Sequence, residues 1–271
     1  MKLLSTPARI VTGICMLLGL VVLYVPLLLI VLNSFNSSRT FSFPPPGFTL
    51  QWWEDALHSR GAADALATSV VAGLCAAGIA LVLGTMAAFA VQRFRFFGRQ
   101  SINFLVVLPI TLPGIVTGIA LASTFTTVLG PVGVTLGLAT VIVGHATFCI
   151  VIVYNNIQAR LRRLGTSLEE ASADLGARGW QTFLWVTLPQ VRGALAAGVL
   201  LAFALSFDEI VVTTFTAGPT VQTLPIWIFQ NLFRPNQAPV VNVVAAVLTI
   251  IAIIPVWLSQ RLAGDSVTSR V

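Results

Sequence analysis

Charge is scarce in this sequence: Asp, Glu, Lys and Arg make up 9% of its 271 residues, while hydrophobic residues make up 56%. That ratio excludes a soluble globular domain, which needs a charged surface. Lysine occurs once, at Lys2. A phosphate-cradling G-x-x-x-x-G-K-[ST] loop requires a lysine to reach the nucleotide, so this sequence holds no such loop. Cysteine is also sparse. Cys15, Cys75 and Cys149 each sit in an apolar stretch with neither a CxxC pattern nor a histidine pair, which points to no disulfide framework and no metal site. Histidine is confined to His58 and His145. Neither belongs to an HExxH or G-x-S-x-G pattern, so the chain does not read as an enzyme. His58 suits a solvated loop, and His145 suits either a cross-helix hydrogen bond or a cavity wall.

What is plentiful is apolar sequence in runs of about 20 residues, the length that crosses a bilayer as a helix. Lipid offers the backbone no hydrogen-bond partners, and the alternation of a membrane barrel is missing, so the fold class is all-α membrane protein. Six transmembrane helices are expected, at about residues 10–32, 66–91, 102–124, 134–156, 192–214 and 239–259. They would form a single transmembrane domain over 1–271, with a cytoplasmic loop at 157–191. The first run is longer than a signal-peptide core and is expected to remain as a span. With both termini cytoplasmic, twelve basic residues lie inside (Lys2, Arg9, Arg93, Arg95, Arg99, Arg160, Arg162, Arg163, Arg178, Arg192, Arg261, Arg270) and three outside (Arg39, Arg60, Arg234). This asymmetry orients a multi-pass membrane protein with both ends on the cytoplasmic side.

Local patterns add detail. Ala72, Ala76, Ala80, Gly84 and Ala88 recur every fourth residue, a smooth ridge for a close helix neighbour. LPITLPGIVTG puts Pro109, Pro113 and Gly114 in mid-span, where a kink follows from the missing proline N–H; a substrate pathway and a purely structural kink both fit. In the first outer loop, FSFPPPGFTLQWW offers either a docking surface or an interfacial anchor through Trp52 and Trp53. LPIWIFQNLF, with Trp227, Phe229 and Phe233, suggests a short helix in the membrane interface. Asp208 and Glu209 are adjacent acids inside an apolar run. On the expected fifth helix, Glu209 shares a small, polar stripe with Ser206 and Thr213 and would line a translocation cavity, while Asp208 falls on an apolar stripe suited to packing; pairing of both acids with arginine, backbone or a partner chain to fix helix packing is the alternative.

The cytoplasmic segment TSLEEASADLGARGWQTFLWVTLPQVRGAL carries the most specific signal. Ser167 and Glu170 have capping-box spacing, Gly176 is placed to end the helix, and Leu188-Pro189 is placed to stop a second one. Glu170, Ala171, Gly176, Leu188 and Pro189 match in register the EAA loop of ABC importer transmembrane subunits. Ser172 stands where that motif has a second Ala and Val186 where it has Ile. With FNSSRTFSFPPPGFTLQWW, GHATFC and LSFDEIVVTTFTAGP, nearly the whole chain resembles spermidine/putrescine importer permeases of the PotC/YdcV type. The resemblance implies a coupling helix that contacts an ATPase through Glu169, Glu170, Ala171, Ser172, Asp174 and Gly176. Glu209, Asp208, Ser206, Thr213, Pro113 and Gly114, picked out above by charge, helix face and the proline break, are the expected translocation path. The resemblance places the chain in a bacterial inner membrane. It also implies a second related permease, two ATPase subunits that hold the ATP and Mg, and an external substrate-binding protein. Putrescine, spermidine or a related amine such as GABA would be the cargo. The competing expectation is an ion-gradient-driven secondary transporter or channel, against which the absence of a clear internal repeat weighs.

Overall fold

A computed structural model describes residues 6–40, 42–234 and 236–268, with side chains left out at 6, 7, 252, 255, 256 and 258–268. Among the basic residues that orient the chain, Lys2 and Arg270 lie outside the described residues. The described secondary structure is helical. Its apolar helices are α1 (Thr6–Asn33), α3 (Arg60–Arg93), α4 (Arg99–Thr111), α5 (Gly114–Ser123), α6 (Leu138–Leu164), α9 (Leu188–Phe207) and α12 (Ala238–Thr268). Short helices join them: α2 (Gln51–Leu57), α7 (Ser167–Asp174), α8 (Gly179–Thr182), α10 (Val211–Thr216) and α11 (Leu224–Asn231). Four helices are long and apolar enough to cross a membrane, and α4 with α5 makes a fifth span if the bent pair is counted as one. The described apolar part of α12, Ala238–Ile251, is shorter.

The chain divides into two compact units, one drawn from within Met1–Ala63 and Ile228–Ile251, the other from within Asp64–Trp227 and Ala252–Val271. In the first, the polyproline loop folds back on the end of α1. The indole N–H of Trp52 donates to the Asn36 carbonyl at 2.8 Å, and Trp53 stacks on Phe35 with centroids 5.1 Å apart. The two tryptophans are therefore internal struts of the loop and do not point outward as interfacial anchors. The outward positions belong to Phe43, Phe48 and Leu50.

The second unit has its core where α3, α6 and α9 pack together, around Ala76, Ala80, Ala88, Phe148, Tyr154, Ile157, Leu161, Val191 and Ala202. The small-residue ridge of α3 lies inside this core, with Ala72, Ala76, Ala80 and Ala88 buried. Its closest approach is at Gly84. A Cβ there would stand 2.9 Å from the Ile150 carbonyl oxygen and 3.1 Å from the Tyr154 nitrogen, atoms of the α6 backbone that cannot rotate away. Gly84→Val is expected to destabilise the helix pair by about 1–3 kcal/mol, the usual range for overpacking. A lower melting temperature of the purified protein, with a smaller change for Gly78→Val, where a Cβ meets nothing within 4 Å, would check it.

Two expected spans are interrupted. The third bends by 105° between Arg99–Thr111 and Gly114–Val128. The break falls at Leu112, which is extended at φ −81 and ψ 145, because the residue before a proline is pushed out of the helical region. Pro109 stays inside α4, so only Pro113 ends a helix. The fifth expected span, 192–214, is not one helix. It stops at Phe207, turns through residues 208–210 and resumes as α10. The turn tightens as the Glu209 N–H reaches the Ser206 carbonyl at 3.4 Å.

Candidate functional site

The loop between α6 and α9 builds its first helix, α7, with a start different from the one its spacing suggests. Thr166 occupies the cap position and Ser167 is already helical; no side chain caps the N-terminus. Glu170 does not reach back to the backbone, because its carboxylate accepts from the Thr166 hydroxyl at 2.6 Å. The end of α7 does follow expectation. Gly176 takes φ +83, its N–H donates to the Ala173 carbonyl at 2.8 Å, and Ala177 donates to the Ser172 carbonyl at 3.1 Å. Those two bonds are the Schellman closure, which a left-handed glycine permits.

Pro189 does not stop the second helical stretch. Helix α8 widens into a π-helical turn at Phe183–Thr187 and runs directly into α9, so that Gly179–Phe207 is one continuous helix. The wider turn accommodates a proline that can neither donate to nor clear the carbonyl four residues before it. One product of this turn is Thr187, which is buried and donates to Glu169 Oε1 at 3.0 Å. The other carboxylate oxygen of Glu169 lies 3.0 Å from Arg93 Nε at the end of α3. Glu169 thus ties α7 both to α3 and to the helix that becomes α9. Ser172 adds a 3.0 Å hydrogen bond to Thr182 on α8. By contrast Glu170, Ala171, Asp174 and Leu175 are exposed, leaving one acidic and apolar face of α7 open. Neither Arg93 nor Thr187 stands out in the sequence, since each acquires its role from a partner 76 or 18 positions away.

A second cluster forms where the interrupted helices meet. Helix α10 packs along α5; a Cβ on Gly114 would meet Val211 at 3.4 Å, and one on Gly118 would overlap the Phe215 ring at 2.6 Å. The break at Pro113 and the start of α10 are therefore neighbours. Behind them, His145 of α6 is buried, its Nδ1 2.7 Å from Ser206 Oγ and its Nε2 2.7 Å from Thr213 Oγ1. Ser206 and Thr213, expected to face a cavity, are instead buried on either side of the turn and clamp it to α6. A single histidine with two buried hydroxyl partners reads as a brace, the first of its two sequence-level roles.

The two acids separate accordingly. The stripe that grouped Glu209 with Ser206 and Thr213 assumed an unbroken helix, and the turn at 208–210 removes that premise. Glu209 Oε1 accepts the Val212 N–H at 2.8 Å and caps α10. Asp208 is exposed, and among the described residues no side-chain partner holds it. It is the free carboxylate of the pair.

Comparison with known proteins fits this geometry. Residues 80–265 match the family described as binding-protein-dependent transport system inner membrane component. The chain is 36% identical over 251 residues to the putrescine transport system permease protein PotI of Escherichia coli K12, covering 92% of this chain and 88% of that one. It is 32% identical over 243 residues to the spermidine/putrescine transport system permease protein PotC of the same organism, covering 90% of each. Among solved structures, a chain of a bacterial ABC transporter involved in import of the acidic polysaccharide alginate superposes with a TM-score of 0.70, covering 99% of this chain and 100% of that one at 17% identity. At that identity the likeness establishes the fold.

Proposed function

The chain belongs to the family of binding-protein-dependent transport system inner membrane components, and from that premise we propose that it is one permease subunit of an ATP-driven importer of putrescine, spermidine or a related small amine. It is a membrane-embedded permease and no enzyme in its own right; its single lysine leaves no Walker loop. The partners in this reading are a second related permease, two ATPase subunits that bind ATP and Mg, and an external substrate-binding protein. Both termini and α7 lie on the cytoplasmic side.

The observation that carries the reading is the anchorage of α7. Its exposed face, with Glu170, Ala171 and Asp174, is the surface offered to an ATPase, and Glu169 passes any displacement to α3 through Arg93 and to α9 through Thr187. Both α3 and the α9 run are long enough to cross the membrane. A push on α7 then acts on two spanning helices together. The α9 run ends at the turn that carries Asp208, next to the break at Pro113 and Gly114. A carboxylate at that depth favours a cationic amine, whose ammonium group loses its hydration on entering the path. An anionic cargo would meet repulsion there.

Uptake of labelled putrescine into vesicles holding the full complex tests the proposal. Uptake is expected to need ATP on the α7 side and to persist when ion gradients are collapsed. Transport driven by a gradient with no ATP would refute it. Orientation has its own check, in a background with Cys15, Cys75 and Cys149 replaced by serine. A cysteine at Asp174 should react with an impermeant label only after permeabilisation, and one at Leu57 should react in intact cells. The reverse pattern would invert the assignment of sides.

A further inference from the structure

The link between α3 and α4 is five residues long, Phe94 to Gly98, and it joins two helices that enter the membrane from the same side. A tether that short holds it at the bilayer surface. It reads Phe-Arg-Phe-Phe-Gly, flanked by Arg93 and Arg99. Phe94 and Phe97 are exposed at 65% and 106%, and Phe96 is exposed too. Exposed phenylalanine is costly in water and favourable among acyl chains.

The charges around the link are unbalanced. Arg93 is matched by Glu169. Arg95, Arg99 and Arg162 have no carboxylate partner among the described residues, and no acidic residue lies between Asp64 and Glu169 in the sequence. Arg99 and Arg162 also share one end of the contact between α4 and α6. A hydrogen-bonded triangle fixes the contact between α4 and α6: the Tyr154 hydroxyl donates to Asn103 Oδ1, and Gln158 Nε2 donates to Asn103 Oδ1 at 3.1 Å and to the Tyr154 oxygen at 2.6 Å. Arg99 is one helical turn before Asn103, and Arg162 one turn after Gln158, so both lie on the facing stripes one turn nearer the α7 side. Packing the helices thus sets two arginines on meeting stripes at the same level. The start of α4 adds its own positive end, since Gly98 at φ +83 has no side chain to cap it. Like charges held together this way call for an anion.

We propose that Arg99 and Arg162, with Arg95 beside them, bind the phosphate of an anionic phospholipid in the leaflet on the α7 side, while Phe94, Phe96 and Phe97 enter the acyl region around it. Guanidinium groups match phosphate oxygens in a planar, bidentate fashion, and basic pockets between membrane helices suit such headgroups. The inference rests on the membrane-embedded reading above, which places the link at the bilayer surface. Its test reads lipid retention and not uptake, so failure of one leaves the other standing.

The full chain in detergent is offered equal amounts of phosphatidylglycerol and phosphatidylcholine with identical acyl chains, and retained lipid is counted by native mass spectrometry. Phosphatidylglycerol is expected to be retained about tenfold over phosphatidylcholine. The R99Q/R162Q pair should retain the two lipids equally, R99K/R162K should keep most of the preference, and F97S should lower both lipids alike. If R99Q/R162Q does not fold, R95Q, in the exposed link, should reduce the preference about threefold. Equal retention by the unmodified protein would overturn the proposal, as would an undiminished preference in R99Q/R162Q or, failing that, in R95Q. Displacement of the lipid by millimolar inorganic phosphate would do the same, by showing a free-anion site.

Discussion

Asp208→Asn is expected to slow import of a cationic amine by about tenfold or more, with the complex still assembled. The figure follows from losing one charge-assisted contact, about 1.5–3 kcal/mol. Asp208 is exposed beside the Pro113 break and makes no side-chain bond within the described chain, so its loss removes nothing that holds the fold. Glu209→Gln should act differently. Its carboxylate accepts the Val212 N–H at 2.8 Å, a bond that an amide oxygen can still accept, so the cost is a fraction of a cap, under about 1 kcal/mol. The readouts are the initial rate of putrescine uptake in proteoliposomes and the melting temperature of the purified complex. Unmodified transport by Asp208→Asn together with slowed transport by Glu209→Gln would return the pathway role to Glu209. Failure of Asp208→Asn to assemble would give Asp208 a packing role.

The second large effect is expected at α7, where Glu169→Lys and Glu170→Lys should fail for different reasons. Glu169→Lys sets a cation against Arg93, 3.0 Å from the lost carboxylate, and removes the acceptor of Thr187. Helix α7 then loses its ties to α3 and α9 while its exposed face survives. The ATPase should still co-purify, and uptake should fall more than about tenfold as hydrolysis and transport come apart. Glu170→Lys leaves those ties intact and reverses charge on the exposed face, so it should weaken co-purification itself. Gly176→Val tests the same face through the backbone. A β-branched residue at φ +83 costs about 1–2 kcal/mol or more and disfavours the Schellman closure that positions Leu175. Uptake at the normal rate in Glu169→Lys, with normal ATPase binding, would show that α7 does not transmit force through Arg93.

Much of this molecule was legible because membrane insertion reduces the choices available to a sequence. Apolar length determined that the chain crosses the bilayer as helices, since no other structure satisfies the backbone in lipid. The four-residue repeat of small side chains from Ala72 to Ala88 foretold close packing, and Gly176 foretold the end of α7, because each depends on neighbours only a turn away. The register of Glu170, Ala171, Gly176, Leu188 and Pro189 identified the family.

What escaped was whatever depends on residues far apart in the chain. Proline marked both Pro113 and Pro189 as breaks, yet only Pro113 ends a helix, because a π-helical turn absorbs the defect at Pro189. No local pattern separates the two. Asp208 and Glu209 were assigned faces from a continuous helix. The helix stops at Phe207 because His145, more than 60 positions earlier, holds Ser206 on one side of the turn and Thr213 on the other. That brace buries the two hydroxyls, hands Glu209 to the start of α10 and leaves Asp208 free. Periodicity specifies which residues share a face only while the helix lasts, and where a membrane helix stops is decided by the partners that satisfy its opened backbone, which only the tertiary structure brings together.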